Sequence, residues 1–498
     1  MESQNQIATE VLVTHLFRHQ AGRIVATLTR VLGSRHLDLA EDAVQDALIT
    51  ALQQWPYRGI PENPAGWLAV VAKNRALNRI RREATLADKL AELERAWPQQ
   101  TDADAGLASE AGLDDQLALI FMCCHPDISR EAQTALTLKT VCGFSTAEIA
   151  RAFLAQESAI AQRLVRAKRQ IREQEIAIEL PEAKQLAHRL DSVLRVIYLL
   201  FTEGYRATQG DSLTRADLCE EAVRLATLLT HHPGTRQPVV HALLALMMLQ
   251  AARLPARATD DGLPVLLAEQ DRARWDQRLI AGGLRHLAQS AAGAEITAYH
   301  LQAEIAAIHA VAASDATTDW ERIAKLYDEL LAVEPTPIVT LNRAIALARW
   351  QGAAAGIEAL KTVEQHASLQ DYHLLPAVLA EFWKQTGDAA KAAEYYRKAL
   401  ACSCTEPERR FLQTQLLNQL ERTHTNENHV PDTRNTVSPR SRNAQPGGEA
   451  HDTKTRMADR LLGEHARRPL PRRDMDQTGG RHDAGPEPLD QQRQDDGI

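Results

Sequence analysis

Two stretches of the chain gather cationic side chains at helical spacing. The first, residues 63–83, reads NPAGWLAVVAKNRALNRIRRE and contains no carboxylate before Glu83. The second, residues 143–173, reads GFSTAEIARAFLAQESAIAQRLVRAKRQIRE. Like charges on one helix face repel each other, and a polyanion such as nucleic acid reverses the sign of that interaction. Both stretches are therefore candidates for binding nucleic acid.

A helical wheel of the first stretch separates an apolar side from a cationic side. Its apolar side holds Ala69, Ala72, Ala76, Leu77 and Ile80. The opposite side holds Arg75, Asn78, Arg79 and Arg82, with Trp67 near its N-terminal edge. Asn63 suits an N-cap and Pro64 suits the first helical turn. Taken alone, this helix is also compatible with an ordinary solvated face.

The second stretch has the pattern of a helix-turn-helix. Ser145 and Glu148 form a capping box before a short helix, LAQES forms a turn, and a second helix covers about 157–172. Its buried stripe is predicted to be Ile160, Leu164, Ala167 and Ile171. The outward residues, suited to base edges first and phosphates later, are Ser158, Gln162, Arg163, Arg166, Lys168 and Arg169.

The thiols and imidazoles do not form a recognisable catalytic or metal site. Cys123, Cys124 and His125 lie in the apolar run IFMCCHPD, which favours buried structural cysteines. His231 and His232 lie in a predicted loop without a carboxylate cluster, and the six cysteines show no CxxC spacing. The usual phosphate-loop, zinc-protease and hydrolase motifs do not occur. We expect no enzymatic activity, no metal and no cofactor.

The composition predicts an all-α protein of two or three domains. The chain has 498 residues, with 44% hydrophobic, 24% charged and only 4% aromatic residues. A net charge of −8 excludes a globally basic DNA binder, so DNA contact must come from local faces or a partner. We expect a cytoplasmic protein without membrane contact, because there is no signal peptide and the apolar run 241–250 is short.

Changes in composition predict five segments. They are a helical unit over 1–83, an acidic flexible linker over 84–113, a helix-turn-helix unit over 114–176, a helical extension over 180–421 and a disordered tail over 422–498. In the extension, 35 residues separate the turn glycines Gly352 and Gly387, close to the tetratricopeptide (TPR) period of about 34. A TPR-like fold from about 316 is predicted, and a plain helical bundle is the alternative.

The order of these motifs resembles the extracytoplasmic-function (ECF) class of bacterial sigma factors, over about 10–175. LDLAEDAVQDALITALQQW (37–55) is similar to the segment that docks on the β′ clamp helices of RNA polymerase. The 63–83 stretch resembles region two, which melts and reads the −10 element, and the 143–173 stretch resembles region four, which reads the −35 element. The long extension resembles that of the ECF subgroup with a fused C-terminal TPR-like domain.

The resemblance implies partners and roles for particular residues. The implied partners are core RNA polymerase, through its β′ clamp helices and β flap, and promoter DNA, with possible contact between the extension and the sigma domains. Implied polymerase-docking residues are Asp42, Gln45 and Asp46. Implied −10 residues are Arg58, Asn63, Trp67, Arg75, Asn78, Arg79 and Arg82. Asp102, Asp104 and Glu110 of the linker would lie in the RNA exit path.

A second function stays open at this point. The chain could be a helix-turn-helix regulator fused to a TPR-type interaction scaffold, acting without replacing sigma. Such a protein needs neither the docking segment nor the melting helix, and it binds a palindromic duplex as a dimer without polymerase.

Overall fold

The chain is helical throughout the part that a computed structural model describes, which is residues 20–82, 110–153, 155–205, 214–259, 265 and 267–427. Within these ranges the extended pairing is limited to one isolated bridge between Tyr372 and Ser403. The all-α prediction is confirmed. Asp102 and Asp104 of the predicted linker lie outside the described residues.

The N-terminal unit consists of α1 (20–32), α2 (Leu37–Arg58) and α3 (Pro64–Arg82). Alanines and leucines on α2 point inward against α3, and Trp55 near its end is buried. All five residues predicted for the apolar side of α3 are buried. This packing fixes the rotation of α3 about its axis and turns its cationic side outward.

The helix-turn-helix unit consists of α4 (Glu110–Cys123), α5 (Arg130–Leu136), α6 (Thr146–Ala152) and α7 (Glu157–Glu173). A single π turn, Thr137–Val141, follows α5. Helix α4 begins within the predicted linker, four residues before the expected boundary at 114.

The extension contains eleven helices in its described residues. They are α8 (Ala183–Tyr205), α9 (Ala216–His231), α10 (Pro238–Ala251), α11 (Gln277–Ser290), α12 (Ala298–Val311), α13 (Trp320–Val333), α14 (Pro337–Gln351), α15 (Ala353–Leu360), α16 (Leu374–Gln385), α17 (Ala389–Ala401) and α18 (Glu406–Glu427). Because α18 reaches Glu427, the first residues of the tail predicted to be disordered are helical, and the rest lie outside the described residues.

Helix α10 is the apolar centre of the extension. The stretch Pro238–Ala256 has the length and composition to cross a membrane, and it is longer than the apolar run 241–250 suggests. Inside the protein, however, 78% of that stretch is buried. Helices α9, α11 and α12 pack around α10, as expected for the core helix of a helical domain.

The two glycines that suggested a repeat lie at corresponding turns. Gly352 ends α14 with φ 101°, and Gly387 lies between α16 and α17 with φ 90°, a region that favours glycine. The predicted packing positions Leu379, Ala380, Ala392, Tyr396 and Ala399 are buried, and Trp383 is partly buried. These helix pairs are compatible with the TPR-like prediction.

One apolar core joins the N-terminal unit, the helix-turn-helix unit and the beginning of the extension. It runs from Ala21 through Ile80 and Leu117 to helices α8–α10. A second core covers α10–α16, and a smaller third one covers α16–α18. The two cationic faces are therefore attached to one continuous apolar body in this arrangement.

Candidate nucleic-acid interface

The outward side of α3 carries the predicted cationic residues. Arg75, Asn78 and Arg79 are exposed, whereas the side chain of Arg82 lies outside the described part of the chain. The arginines have partners on α2, contrary to the expectation from the α3 sequence alone. Arg79 Nη1 donates to Asp42 Oδ2 at 2.9 Å, and Arg75 Nη2 donates to Thr50 Oγ1 at 3.3 Å.

The start of α3 is built by capping and by an aromatic pair. Asn63 Oδ1 accepts a hydrogen bond from the Gly66 amide at 2.8 Å, which confirms the predicted N-cap. Half-buried Trp67 meets buried Trp55 edge to face, with ring centroids 5.3 Å apart. Arg58, at the end of α2, is exposed. Next to it, Tyr57 is 85% exposed.

The capping role of Asn63 leads to a stability prediction. Replacing Asn63 by alanine is expected to lower the free energy of unfolding by about 1 kcal/mol, because one helical amide loses its acceptor. Asn63→Asp keeps an acceptor for this amide, so the free energy of unfolding should stay unchanged. It also places a negative charge beside the cationic side of α3 that is predicted to contact DNA. Thermal unfolding measures the first effect, and promoter melting measures the second. Normal promoter melting by N63D at unchanged stability would remove Asn63 from the −10 assignment.

The second cationic face lies on α7. Both halves of the Ser145–Glu148 capping box form, and the four predicted stripe residues of α7 are buried. Ser158, Gln162, Arg166 and Arg169 are exposed, and Arg163 is partly exposed. Val165, between the polar residues, is 66% exposed. An apolar side chain at such a position suits the methyl group of a thymine, and its apolar type is why the search for polar contacts missed it.

Unlike the other residues predicted to contact DNA from α7, Lys168 points toward α2. Its Nζ lies 2.8 Å from Asp38 Oδ1 and 2.5 Å from Glu41 Oε2 on α2, and its side chain is only 17% exposed. Burial alone would lower the pKa of Lys168, but the charges and hydrogen bonds of Glu41 and Asp38 outweigh it and raise the pKa. Lys168 therefore faces α2, and the −35 assignment of this residue stays a prediction.

The exposed side of α2 combines acidic and apolar residues. Asp42, Gln45 and Asp46 are exposed, and Asp42 is engaged by Arg79. Ile49, one turn further on, is 44% exposed, and Leu52 follows it. These two apolar residues were not among the predicted docking residues. Exposed large apolar groups with a polar rim are typical of protein-binding surfaces.

The comparisons with known families fall on these same units. Residues 16–85 match the family described as sigma-70 region 2, and residues 118–171 match the family described as sigma-70, region 4. The first match covers α1–α3 and the second covers most of α4–α7, followed by the long helical extension. The chain belongs to the ECF sigma factors with a C-terminal extension. As a sigma factor, it acts in transcription initiation and binds core RNA polymerase and promoter DNA.

The extension of this sigma factor has its own relatives. Residues 189–291 match a family of unknown function, DUF6596. An uncharacterized protein of Rhizobium meliloti (strain 1021) is 37% identical over 387 residues, which is 77% of this chain and 90% of that protein. The similarity therefore includes much of the extension as well as the sigma units. No solved structure matches the chain.

The N-terminal and helix-turn-helix units of the sigma factor pack directly against each other. Gly22 of α1 lies so close to the π turn that a Cβ atom there would be 2.0 Å from the Val141 carbonyl oxygen. Arg30 Nε lies 2.5 Å from Asp115 Oδ1. Buried Thr140 donates from its Oγ1 to Glu41 Oε1 at 2.6 Å, beside the contact with Lys168. Backbone contact and ion pairs thus join the two DNA-binding units.

The extension of the sigma factor packs on the helix-turn-helix unit. Arg189 Nη2 of α8 donates to the Phe121 carbonyl oxygen of α4 at 2.7 Å, and its guanidinium lies over the Phe121 ring. His232 Nε2, after α9, lies 3.9 Å from Asp114 Oδ1 at the start of α4. These contacts and the common core connect helices α8–α10 to the helix-turn-helix unit.

Cys123 and Cys124 lie inside this junction, and both are buried, as predicted. Burial raises the pKa of Cys124 to about 12, only partly offset by a hydrogen bond with Thr137. A thiol in this state is a poor nucleophile and a poor metal ligand. Among the described residues, no group of three or more histidine, cysteine or acidic side chains could hold a metal ion.

Proposed function

We propose that the chain recognises −10 and −35 promoter elements as an ECF sigma factor and that its extension is the regulatory input. The observation that carries this proposal is the pair of exposed cationic faces, on α3 and α7, beside an acidic and apolar face on α2. A conventional helix-turn-helix regulator needs only the α7 face.

In this proposal α3 and the loop before it bind the opened −10 element. Single-stranded bases stack on aromatic rings beside cations. Trp67 and exposed Tyr57 supply the rings, and Arg58, Arg75 and Arg79 supply the charges. On α7, Gln162 and Arg166 reach base edges near the −35 element, and Arg163 and Arg169 contact phosphates. Specificity then comes from the sigma factor, and most of the phosphate attraction comes from the polymerase.

The acidic and apolar side of α2 binds the β′ clamp helices, and the helix-turn-helix unit binds the β flap. Asp42, Gln45 and Asp46 supply polar contacts at this surface, and Ile49 and Leu52 supply its apolar centre. Interface energy concentrates in a few such central residues.

The proposed docking surface on α2 can be tested by measuring the affinity for core polymerase. Replacing Ile49 by aspartate is expected to weaken the affinity for core polymerase about tenfold, equivalent to ~1.4 kcal/mol, because a charge replaces a desolvated apolar contact. Fluorescence titration of labelled sigma factor with core enzyme measures the dissociation constant. Val333→Asp is the matched control, since Val333 is exposed to a similar extent, 51% against 44% for Ile49, but lies on α13 of the extension. Equal losses in both variants would assign the effect to general damage.

The packing of the two DNA-binding units supports a closed resting state. Lys168 of α7 pairs with Asp38 of α2, and Arg79 of α3 pairs with Asp42 of the same helix. Asp38 and Asp42 are about one helical turn, or about 6 Å, apart along the axis of α2. The two promoter elements are centred about 25 base pairs apart, roughly 85 Å of duplex at 3.4 Å per pair. The two faces cannot reach both elements from the closed arrangement, so the units must separate on the polymerase.

The extension acts on this separation in our proposal. It contacts α4 through Arg189, and α8 and α9 pack on helices of the helix-turn-helix unit, so that unit stays with the extension when the N-terminal unit leaves. A deletion of residues 180–498 is a poor test of this role, because it exposes the apolar side of α4 that α8 and α9 cover. Substitutions at single contacts are cleaner.

A binding assay separates the proposed function from the regulator alternative. Full-length protein is mixed with promoter fragments of the source genome, with and without core polymerase, and its complexes are resolved by electrophoresis. The sigma function predicts specific complexes only when core enzyme is present, because the free protein has a net charge of −8 and closed DNA-binding units. A specific shift of palindromic duplex by the protein alone would favour the regulator fused to a scaffold.

A further inference from the structure

The extension contains a basic cleft that lies apart from both DNA-binding faces. It opens where the end of α9, the start of α10 and the end of α11 meet, and its volume is about 500 Å³. The polar groups that line it are Thr230, His231, Arg236, His241, His286 and Gln289. Carboxylates do not occur among its described lining residues. In a protein of net negative charge, this is a local surplus of cationic and hydrogen-bond-donating groups.

Two of the lining histidines, His241 and His286, contact each other. Their Nδ1 atoms are 3.0 Å apart, and their rings stack with centroids 5.2 Å apart. At this distance one imidazole must donate and the other must accept, so the two rings cannot both carry a proton on these atoms. His241 is buried, and His286 is partly buried.

The charges around the histidine pair are cationic. The pKa of His241 is lowered mainly by burial, and the neighbouring His286 and Arg236 lower it further. Burial also lowers the pKa of His286, with Arg285 acting in the same direction and a hydrogen bond to Gln289 opposing it. The histidine pair is therefore neutral near pH 7 and can gain one proton when an anion enters, with the hydrogen bond between the two Nδ1 atoms kept.

We propose that this cleft binds the phosphate group of a small phosphorylated molecule. Phosphate carries nearly two negative charges and accepts hydrogen bonds on several oxygens, which matches a guanidinium, imidazoles and an amide. The N-terminus of α10, which begins at Pro238 on the rim, adds the positive end of a helix dipole. The volume leaves room for the organic part of the molecule beside its phosphate.

The position of the cleft connects it to the sigma units. His231 and Arg236 bracket the loop in which His232 approaches Asp114 of α4. A ligand that draws this loop inward changes the contact between the extension and the helix-turn-helix unit. This regulatory consequence rests on the proposed sigma function, whereas binding of the phosphate does not.

Calorimetric titration of the full-length protein with inorganic phosphate tests the site. Arg236→Ala is expected to weaken binding about tenfold, because an exposed charged donor is lost from the rim. Arg285→Ala is the matched control. Arg285 lies next to His286 but outside the lining, and its loss is expected to change the affinity less than about twofold.

The histidines give the site a pH signature. Sulfate keeps a constant charge of −2, so its affinity is expected to rise several-fold between about pH 7.5 and 6, because binding favours the singly protonated histidine pair. His286→Gln keeps a hydrogen-bonding side chain and is expected to reduce this pH dependence. Titrations in two buffers of different ionisation enthalpy should show net proton uptake on binding.

Three results would overturn the proposal. The first is no binding at about 10 mM phosphate. The second is an equal loss of affinity in R236A and R285A, which indicates non-specific charge attraction. The third is tight zinc binding that phosphate does not affect, which assigns the histidine pair to a metal. The assay contains neither polymerase nor DNA, so its failure leaves the sigma function standing, and a failure of transcription leaves the binding result standing.

Discussion

Replacing Gln162 and Arg166 together by alanine is expected to lower promoter-directed transcription by the reconstituted polymerase about 100-fold. Each good base contact contributes roughly 1–3 kcal/mol of discrimination, and two contacts of about 1.4 kcal/mol each give about 2.8 kcal/mol, which corresponds to about 100-fold. Both side chains are exposed on α7, so the free energy of unfolding should stay within about 0.5 kcal/mol of the wild-type value. Run-off transcription measures the first quantity, and thermal unfolding measures the second.

The control for this double variant is Arg278→Ala, an exposed arginine on α11 of the extension. R278A should transcribe like the wild type. A second check is promoter position. The double variant should lose discrimination at base pairs of the −35 element and keep it at the −10 element. Uniform loss across both elements would mean that α7 does not read bases, and normal transcription by the double variant would contradict the assignment of the α7 face.

Replacing Gly22 by alanine is expected to destabilise the protein by about 1–3 kcal/mol, as overpacking of a buried contact usually does. The added methyl group would lie 2.0 Å from the carbonyl oxygen of Val141, and backbone must move to make room. The same substitution in a free helix has the opposite sign, since alanine stabilises a helix interior by up to about 1 kcal/mol over glycine. The sign of the change in unfolding free energy therefore reports whether the two units touch in solution.

Two further measurements refine the Gly22 experiment. Small-angle scattering should give a larger radius of gyration for G22A if the units separate. Lys168→Gln, which weakens the ion pairs with Asp38 and Glu41 without steric conflict, should open the protein in the same direction but less. A more stable G22A with an unchanged radius would show that α1 and the π turn are apart in the free protein, and the closed resting state would be abandoned.

Local features of the site could be predicted because neighbouring residues determine them. The capping box of Ser145 and Glu148 needs only three residues of separation, and the N-cap at Asn63 likewise depends on the next turn. The buried stripes of α3 and α7 follow from helical periodicity once the helices are assigned. The glycine turns at Gly352 and Gly387 follow from the backbone freedom of that residue.

Features set by tertiary packing could not be predicted. Arg79 pairs with Asp42 across 37 positions, and Lys168 meets Asp38 across 130, so a wheel drawn for one helix places both cations in solvent. Gly22 has no sequence signal, because its role appears only when the π turn lies against α1. Val165 and Ile49 were missed for another reason: they are apolar, and only their exposure in the folded chain marks them as candidate contacts.

The measurement that tests the central claim most directly is in vitro transcription with purified core RNA polymerase and promoter fragments from the source genome. Full-length protein is compared with the Q162A/R166A variant and with core enzyme alone. The sigma function predicts specific initiation with the wild-type protein, about 100-fold less with the variant and none with core enzyme alone. If the full-length protein gave no more initiation than core enzyme alone on every fragment tested, the assignment of this chain as a sigma factor would be contradicted.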